Sequence, residues 1–329
     1  MNAIEIKDLT KKFGDLAAVN NISLEIREGE IFGLLGPNGA GKTTTISMLA
    51  TMLTPTSGSA IVNSYDVINQ KDQVRKSIGI VFQDPSLDIE LTGWENMDFH
   101  GRLYGMNDGT RKQKIEELLK LVELENNGND IVKTYSGGMK RRLEIARGLM
   151  HHPKVLFLDE PTIGLDPQTR RKLWEYIKKL NTEQKITIIL TTHYMEEADF
   201  LCDRIAIIDH GKIIALDTAE KLKEVIGGDV ITLETVHTQR LKEFLEKTDY
   251  IKEIKTFDSK LNVTVDNGGI AIPKIIEMAQ QNSINVNSVS LKRPSLEDVF
   301  IHYTGRSIRE EEGSAKDSMR MFMRAGWRR

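Results

Sequence analysis

The sequence predicts an α/β domain with a mainly parallel sheet flanked by helices, followed by a small α+β domain of the ferredoxin-like type. Short apolar runs at 155–158 and 186–190 are typical of strands buried on both faces. Each is followed by a turn signal or a helical pattern, which favours parallel connections through helices. After about Leu222 the order of elements changes to β-α-β-β-α-β, which indicates the second domain.

The first domain is expected to span residues 1–222. Its predicted strands lie at 4–6, 22–26, 31–35, 78–82, 155–158 and 186–190. Between Gln83 and Pro153 no strong strand pattern occurs, whereas 110–124 and 137–152 carry apolar residues at helical spacing. We therefore expect a mostly helical subdomain, at about 84–150, inserted in the α/β domain.

The second domain is expected to span residues 223–305, after a linker at Gly227-Gly228. Its predicted strands are 230–236, 251–257, 261–265 and 284–291, its predicted helices are 239–247 and 270–281, and a turn is expected at Asp258-Ser259. Residues 306–329 are expected to be a basic amphipathic tail. Such a segment either lies on a membrane or partner surface or is a frayed terminus.

Composition excludes several classes of protein. The 329 residues include 45 Lys and Arg against 48 Asp and Glu, so no strong field attracts nucleic acid or anionic lipid. The single cysteine, Cys202, excludes an internal disulfide framework and fits a reducing compartment. No apolar run reaches the roughly 18–20 residues of a membrane-spanning helix, and the N-terminus does not read as a signal peptide. If the protein works at a membrane, we expect another protein to hold it there.

A phosphate-binding loop is the first functional motif. The pattern G-x-x-x-x-G-K-[ST] follows an apolar strand and precedes a helical run, the context that this motif requires. Its residues are Gly36, Pro37, Asn38, Gly39, Ala40, Gly41, Lys42 and Thr43. The glycines let backbone amides turn around phosphate oxygens, Lys42 can reach the β- and γ-phosphates, and the Thr43 hydroxyl can ligate Mg²⁺. The motif predicts nucleotide binding.

Two further clusters indicate the chemistry. Asp159 ends a buried strand, where its carboxylate can organise Mg²⁺, and the adjacent Glu160 can accept a proton from an attacking water. Without a cation, two neighbouring carboxylates would repel each other. Ser136 fits a helix N-cap, and Gly137 and Gly138 expose first-turn amides. Taken alone, that segment would be an ordinary cap.

In this order, the motifs resemble those of ABC ATPases. The matching segments are the phosphate loop, Gln83 after a strand, Tyr135-Ser136-Gly137-Gly138-Met139, Asp159-Glu160, Gly164-Leu165-Asp166 and His193. The resemblance covers about residues 3–220 and implies a P-loop NTPase of ABC type that uses ATP and Mg²⁺. Tyr135 and Met139 depart from the commonest signature residues, Leu and Gln, and both could alter the dimer interface or the fit to a permease.

The resemblance implies a role for each matching position. Phe13 would stack on adenine, Gln83 would sense Mg²⁺ and water, and Asp166 would join the two sites. Ser136 and Gly138 would bind the γ-phosphate held by a partner subunit, and His193 would be the switch histidine. The candidate catalytic residues are thus Glu160, His193 and Gln83; the metal ligands are Thr43, Gln83 and Asp159; and the nucleotide-binding residues are Phe13, Gly36 to Thr44 without a gap, Ser136, Gly137, Gly138 and Asp166.

The chain also resembles one group within this family. Residues 293–306 and 192–199 are similar to those of daunorubicin-resistance-type exporter ATPases. This implies a homodimer at the cytoplasmic face of the membrane that drives export through a separately encoded permease. The helical subdomain would receive the permease, with Trp94, Leu91 and Met97 lining that surface unless they belong to the core.

Two other hypotheses follow from the sequence. An ABC ATPase acting on ribosomes or DNA usually has two cassettes or long coiled coils; the single phosphate loop, the absence of heptads and the near-neutral charge argue against it, and no nucleic-acid partner is expected. The second domain could be a small-molecule sensor or could instead steady the dimer. The exported substrate is not readable from this chain.

Overall fold

The computed structural model describes residues 1–257 and 260–304. The described chain divides into two compact units, the first comprising Met1–Asp217 and the second beginning at Thr218. This division lies a few residues before the boundary expected at 222, because the helix Ala219–Glu224 packs within the second unit. The predicted turn at Asp258-Ser259 and the predicted tail at 306–329 lie outside the described residues.

The first unit alternates strands and helices. Its strands are β1 (Asn2–Phe13), β2 (Leu16–Arg27), β3 (Ile31–Leu35), β4 (Ser57–Val62), β5 (Tyr65–Asp66), β6 (Ile78–Val81), β7 (Val155–Asp159), β8 (Thr187–Thr192), β9 (Arg204–Asp209) and β10 (Lys212–Asp217). Its helices are α1 (Lys42–Leu49), α2 (Lys71–Ser77), α3 (Gly93–Leu103), α4 (Asp108–Leu121), α5 (Gly137–Gly148), α6 (Pro167–Gln184) and α7 (Met195–Leu201). All six strands predicted for this domain are present.

The central sheet has six strands in the order β10-β9-β3-β8-β7-β6. Every pairing is parallel except that of β10 with β9, which confirms the predicted mainly parallel sheet. All residues of β3, β7 and β8 are buried. The carboxyl ends of these three neighbouring strands meet at one edge, where the phosphate loop, the Asp159-Glu160 pair and His193 follow them.

The core lies on both faces of this sheet. Along β7, Val155 and Phe157 belong to one hydrophobic cluster, and Leu156 and Leu158 belong to the other. The first cluster includes residues of α1 and of a second, antiparallel sheet with the order β2-β1-β4-β5; the second cluster includes residues of α4, α5 and α6. Alternation along the strands therefore explains why their apolar runs are unbroken.

The segment between β6 and β7 is helical, as predicted. It contains α3, α4 and α5 and no named strand. The start of α3 was not predicted; Thr92 caps it by accepting from the Glu95 amide at 3.1 Å, and the Glu95 carboxylate accepts from the Thr92 amide in return. Met97 is fully buried and therefore belongs to the core, whereas Trp94 is half-buried against it.

The second unit has a separate sheet and core. Its elements are α8 (Ala219–Glu224), β11 (Asp229–Glu234), α9 (Thr238–Leu245), β12 (Ile251–Phe257), β13 (Lys260–Val265), α10 (Gly268–Gln281), β14 (Ser288–Lys292) and α11 (Leu296–Thr304). The antiparallel sheet has the order β12-β13-β11-β14, which confirms the predicted β-α-β-β-α-β arrangement. In α11, Leu296, Val299 and Phe300 are buried, as expected of its apolar face. Among the described residues, none of the helices has the length and apolarity needed to cross a bilayer.

Candidate active site

The phosphate loop connects β3 to α1. Gly41 has a φ of 104°, and a β-carbon there would lie 2.3 Å from the Ala18 carbonyl oxygen, so only glycine fits. The Lys42 ammonium is buried and donates to the carbonyls of Gly36 at 2.8 Å and Pro37 at 3.0 Å. A cavity of about 330 Å³ lies over this loop, and its lining comprises Ala18, Asn38, Gly39, Gly41, Lys42, Thr43, Thr44, Gln83 and Glu160. The loop therefore presents a cation at a cavity open to an anionic ligand.

Asp159 lies beside the start of α1. Its Oδ1 atom accepts from the Thr43 hydroxyl at 3.1 Å and from the Thr191 hydroxyl at 2.5 Å. The carboxylate is 3 % exposed, and the neighbouring strands β7 and β8 hold it in place. The predicted metal ligands Thr43 and Asp159 are thus in direct contact, while Gln83 lines the same cavity.

Glu160 occupies a strained position directly after β7. Its φ is 46°, in the left-handed region that L-residues rarely adopt, and its amide donates to the Thr191 hydroxyl at 3.0 Å. Its Oε1 atom lies 3.4 Å from Lys42 Nζ and 3.2 Å from His193 Nδ1. Its Oε2 atom is buried and has no hydrogen-bond partner among the described residues. Glu160 therefore lines the cavity, with one carboxylate oxygen beside Lys42 and His193 and the other buried without a hydrogen-bond partner among the described residues.

The charge state of Glu160 is set by opposing effects. Burial raises the pKa of its carboxyl. The hydrogen bond to His193 and the positive charge of Lys42 lower the pKa by more than burial raises it, so the net pKa is below the usual 4.5. The group is ionised at neutral pH. An ionised carboxylate with one unsatisfied oxygen is suited to accept a proton from a water molecule.

The signature segment lies elsewhere in the same unit. Ser136 caps α5, with its hydroxyl accepting from the Met139 amide at 3.2 Å, which confirms the predicted N-cap. A β-carbon on Gly138 would lie 2.5 Å from Thr169 Cγ2, so α5 approaches α6 at this glycine. Ser136 and Gly138 line a different groove, of about 570 Å³, that shares no residue with the cavity over the phosphate loop.

Phe13 and Asp166, two of the predicted binding residues, lie outside the phosphate loop and line neither cavity. Phe13 is 49 % exposed near the end of β1, with Lys11 Nζ 5.2 Å from its ring centroid. Asp166 caps α6 and accepts from the amides of Gln168 at 3.1 Å and Thr169 at 3.0 Å. A hydrogen bond from Thr169 lowers the pKa of Asp166. The structure thus gives Asp166 a capping role and leaves the adenine and site-joining roles as predictions.

Thr191 is a site residue that sequence reasoning missed. Its hydroxyl donates to the Asp159 carboxylate and accepts from the Glu160 amide, and so fixes both candidate carboxylates. In the sequence, only the nearby His193 is predicted to act at the site. The missing signal is the sheet order, because only the pairing of β7 with β8 places Thr191 beside Asp159.

Two family models match the chain. The model described as "ABC transporter" matches residues 19–163, and the model described as "ATP-binding protein DrrA1-3-like, C-terminal domain" matches residues 218–304. The first range lies within the first unit, and the second covers the described part of the second unit.

Similar proteins span nearly the whole chain. The linearmycin resistance ATP-binding protein LnrL of Bacillus subtilis (strain 168) is 38% identical over 311 residues, covering 93% of this chain and 100% of that protein. The daunorubicin/doxorubicin resistance ATP-binding protein DrrA of Streptomyces peucetius is 39% identical and covers 92% of each chain. A Nod factor export ATP-binding protein I of Rhizobium sp. is 39% identical, covering 93% and 98%.

Solved structures resemble two thirds or so of the chain. A dimeric ATP-binding cassette in a post-hydrolysis state, bound to ADP and Pi, has a TM-score of 0.59 and 31% identity over 65% of this chain and 98% of that one. The cbiO1 protein of Clostridium perfringens, part of the ABC transporter complex cbiONQ, has a TM-score of 0.63 and 26% identity, covering 75% and 95%.

Proposed function

The chain belongs to the ABC transporter ATP-binding family, in the group of daunorubicin-resistance-type exporter ATPases, and from this premise we propose that two copies hydrolyse ATP at shared sites to drive a separate permease. The observation that carries the proposal is the separation of two half-sites within one chain. Lys42 and Glu160 line one cavity, whereas Ser136 and Gly138 line another groove.

In the proposed reaction, the phosphate-loop cavity binds the triphosphate. Lys42 exchanges its internal carbonyl contacts for phosphate oxygens, and the amides at the start of α1 add further donors. Water attacks the γ-phosphorus as the bond to the β–γ bridging oxygen breaks and ADP leaves. The Glu160 carboxylate, which lines the cavity and lies beside His193, accepts the proton of the water. General-base action of this kind typically contributes about 10²–10⁴-fold to the rate.

The donors beside the cavity fit a magnesium ion. Thr43, Asp159 and Gln83 offer hydroxyl, carboxylate and amide oxygens, the class of ligand that Mg²⁺ prefers. Among the described residues, no group of three or more His, Cys, Asp or Glu side chains is placed to hold a metal. An ion here would therefore take its other ligands from phosphate and water, which is usual for Mg²⁺ bound with a nucleotide; it would neutralise phosphate charge.

A second subunit completes each proposed site. The N-terminus of α5, where Ser136 is exposed and Gly138 is buried, would face the γ-phosphate held by Lys42 of the partner subunit. Head-to-tail pairing of this kind places two identical sites around a two-fold axis. Loss of the γ-phosphate would remove the bridging contacts and let the interface open, a population shift driven by the ligand.

The proposed partner is a membrane-embedded permease encoded separately, with this subunit held peripherally at the cytoplasmic face. Relatives named for antibiotic resistance and for Nod factor export support an export direction. The composition of the chain supports a protein partner rather than nucleic acid, since 45 basic residues nearly balance 48 acidic ones.

The variant Glu160→Gln tests the proposal. It removes the base but keeps the size and hydrogen bonding of the side chain, so ATP should still bind while hydrolysis falls by about 10²-fold or more. Closed dimers should then accumulate with ATP, as measured by light scattering after size exclusion. Near-normal turnover, or a chain that stays monomeric at saturating ATP, would refute the assignment.

A further inference from the structure

Arg141 joins three segments of the first unit. From the middle of α5, its Nε donates to the Pro161 carbonyl at 2.8 Å, Nη1 to the Phe82 carbonyl at 2.6 Å and Nη2 to the Asp159 carbonyl at 2.9 Å. These acceptors lie on either side of Glu160 and directly before Gln83. Because all three are backbone atoms, Arg141 fixes the path of the chain through the catalytic segments rather than a side chain.

Glu144, one turn further along α5, completes the arrangement. Its Oε2 accepts from Arg141 Nη1 at 2.9 Å, and its Oε1 accepts from the Ser86 amide at 2.8 Å. Arg147 donates to the Ser86 carbonyl at 2.6 Å from the next turn. The loop that begins at Gln83 is thus hydrogen-bonded to side chains of α5 both directly before it, at Phe82, and within it, at Ser86.

The pair is buried but does not line either cavity. The side chains of Arg141 and Glu144 are 8 % and 3 % exposed, and neither is among the residues of the phosphate-loop cavity or of the Ser136 groove. Buried ion pairs seldom stabilise a fold more than apolar residues of equal volume. The planar guanidinium fork instead gives orientation, since its donors have fixed directions.

We propose that Arg141 and Glu144 are positioning residues that make the Gln83 loop, the Asp159–Pro161 turn and the signature end of α5 move as one unit. The inference rests on the proposed function. A γ-phosphate contacted by Gln83 and Glu160 would then reorient Ser136 and Gly138, on the same rigid helix, toward the partner's nucleotide. The presence of the γ-phosphate in one subunit would thus change the dimer interface through the contacts of Arg141.

The test uses the full chain carrying Glu160→Gln, with Arg141→Lys and Glu144→Gln added separately. Lysine keeps the charge but not the three-way fork, and glutamine keeps the Ser86 contact but not the ion pair. Because neither residue touches the nucleotide cavity, we expect the affinity of the monomer for a fluorescent ATP analogue to stay within about twofold. Couplings between sites are worth about 5–150-fold, so we expect ATP-dependent dimerisation, measured by analytical ultracentrifugation, to weaken at least about tenfold.

Arg111→Lys is the matched control. Arg111 is a buried arginine of α4 that donates to the Met106 carbonyl at 2.9 Å and pairs with Asp98; it lines neither cavity and touches none of the catalytic segments, so its variant should dimerise like the parent. Combining Arg141→Lys with Glu144→Gln should be no worse than the stronger single change, because both break one unit.

Three results would overturn the inference: dimer affinities equal to that of the parent, fully additive effects, or parallel losses of thermal stability and monomer ATP affinity. Parallel losses of thermal stability and ATP affinity would indicate that Arg141 and Glu144 only stabilise the fold. A parent that stays monomeric with ATP would refute the proposed function and this inference with it, whereas a dimerising parent with unaffected variants would refute the inference alone.

Discussion

At the scale of single residues, the pKa of Glu160 makes a prediction about pH. Because its pKa is lowered, the base form persists above that pKa and is lost only as the pH falls through it. His193→Ala removes the largest influence that lowers this pKa, so the pKa of the Glu160 carboxyl rises. We expect the acid limb of the kcat profile to move to higher pH, in addition to any loss of maximal rate.

His237→Ala is the control for this shift. His237 is exposed and lies in the second unit, so its removal should leave the acid limb in place. The quantity compared is the pH at which kcat falls to half on the acid side, not the maximal kcat. An acid limb at the same pH in His193→Ala and in the parent would show that His193 does not set the ionisation of Glu160.

The site was predictable where its chemistry is local in sequence. Lys42, Thr43 and Asp159 follow from a contiguous motif and a strand end, and the structure brings them together. The anchoring by Thr191 and Arg141 was not predictable, because it depends on which strands and helices become neighbours. In the sequence, neither residue can be distinguished from an ordinary threonine of a strand or an ordinary arginine of a helix.

At the scale of elements, the N-terminus of α5 has two separable roles. Ser136 caps the helix, and the proposal also places its hydroxyl at the partner's γ-phosphate. Aspartate is as good an N-cap as serine, but its charge would repel phosphate. We expect Ser136→Asp to unfold at the parental temperature while losing ATP-dependent dimerisation in the Glu160→Gln parent, as measured by calorimetry and ultracentrifugation.

Thr92→Ala provides the opposite case. It removes the cap of α3, which should cost about 1 kcal/mol of stability, while leaving the signature intact. We therefore expect a lower melting temperature with normal dimerisation. If Ser136→Asp dimerised normally, Ser136 would be a helix cap only.

Most strands were predictable where burial leaves an unbroken apolar run, although β9, buried except at its first residue, was not predicted. β3, β7 and β8 are buried throughout, so their apolar runs are unbroken. By contrast, β4 exposes most of its residues, and β10 is half-buried and lies at the edge of its sheet, so neither gives a clear pattern. The second, antiparallel sheet was missed for that reason, although β1 and β2 were both expected.

At the scale of the whole molecule, the second unit carries its own core. Buried residues of β11, β13, α9 and α10 pack among themselves, with Ile231, Leu261 and Ile275 fully buried, and partly buried residues of β12 and β14 pack against them. We expect a chain ending at Asp217 to retain a cooperative thermal transition and parental ATP affinity, measured with the fluorescent analogue. Loss of dimerisation alone would support a scaffolding role for the second unit, whereas lost ATP binding would contradict the separation of cores.

Mixing two inactive variants tests whether each site is shared between subunits. Lys42→Ala removes the phosphate-loop cation, and Ser136→Asp disables the signature. In a mixed dimer both lesions fall in one site, and the other site combines intact Lys42 with intact Ser136. If half of the dimers are mixed, we expect about a quarter of parental activity, or at least occluded ATP when both chains also carry Glu160→Gln. A site contained within one subunit would give neither, because every chain would then carry a lesion in its own site.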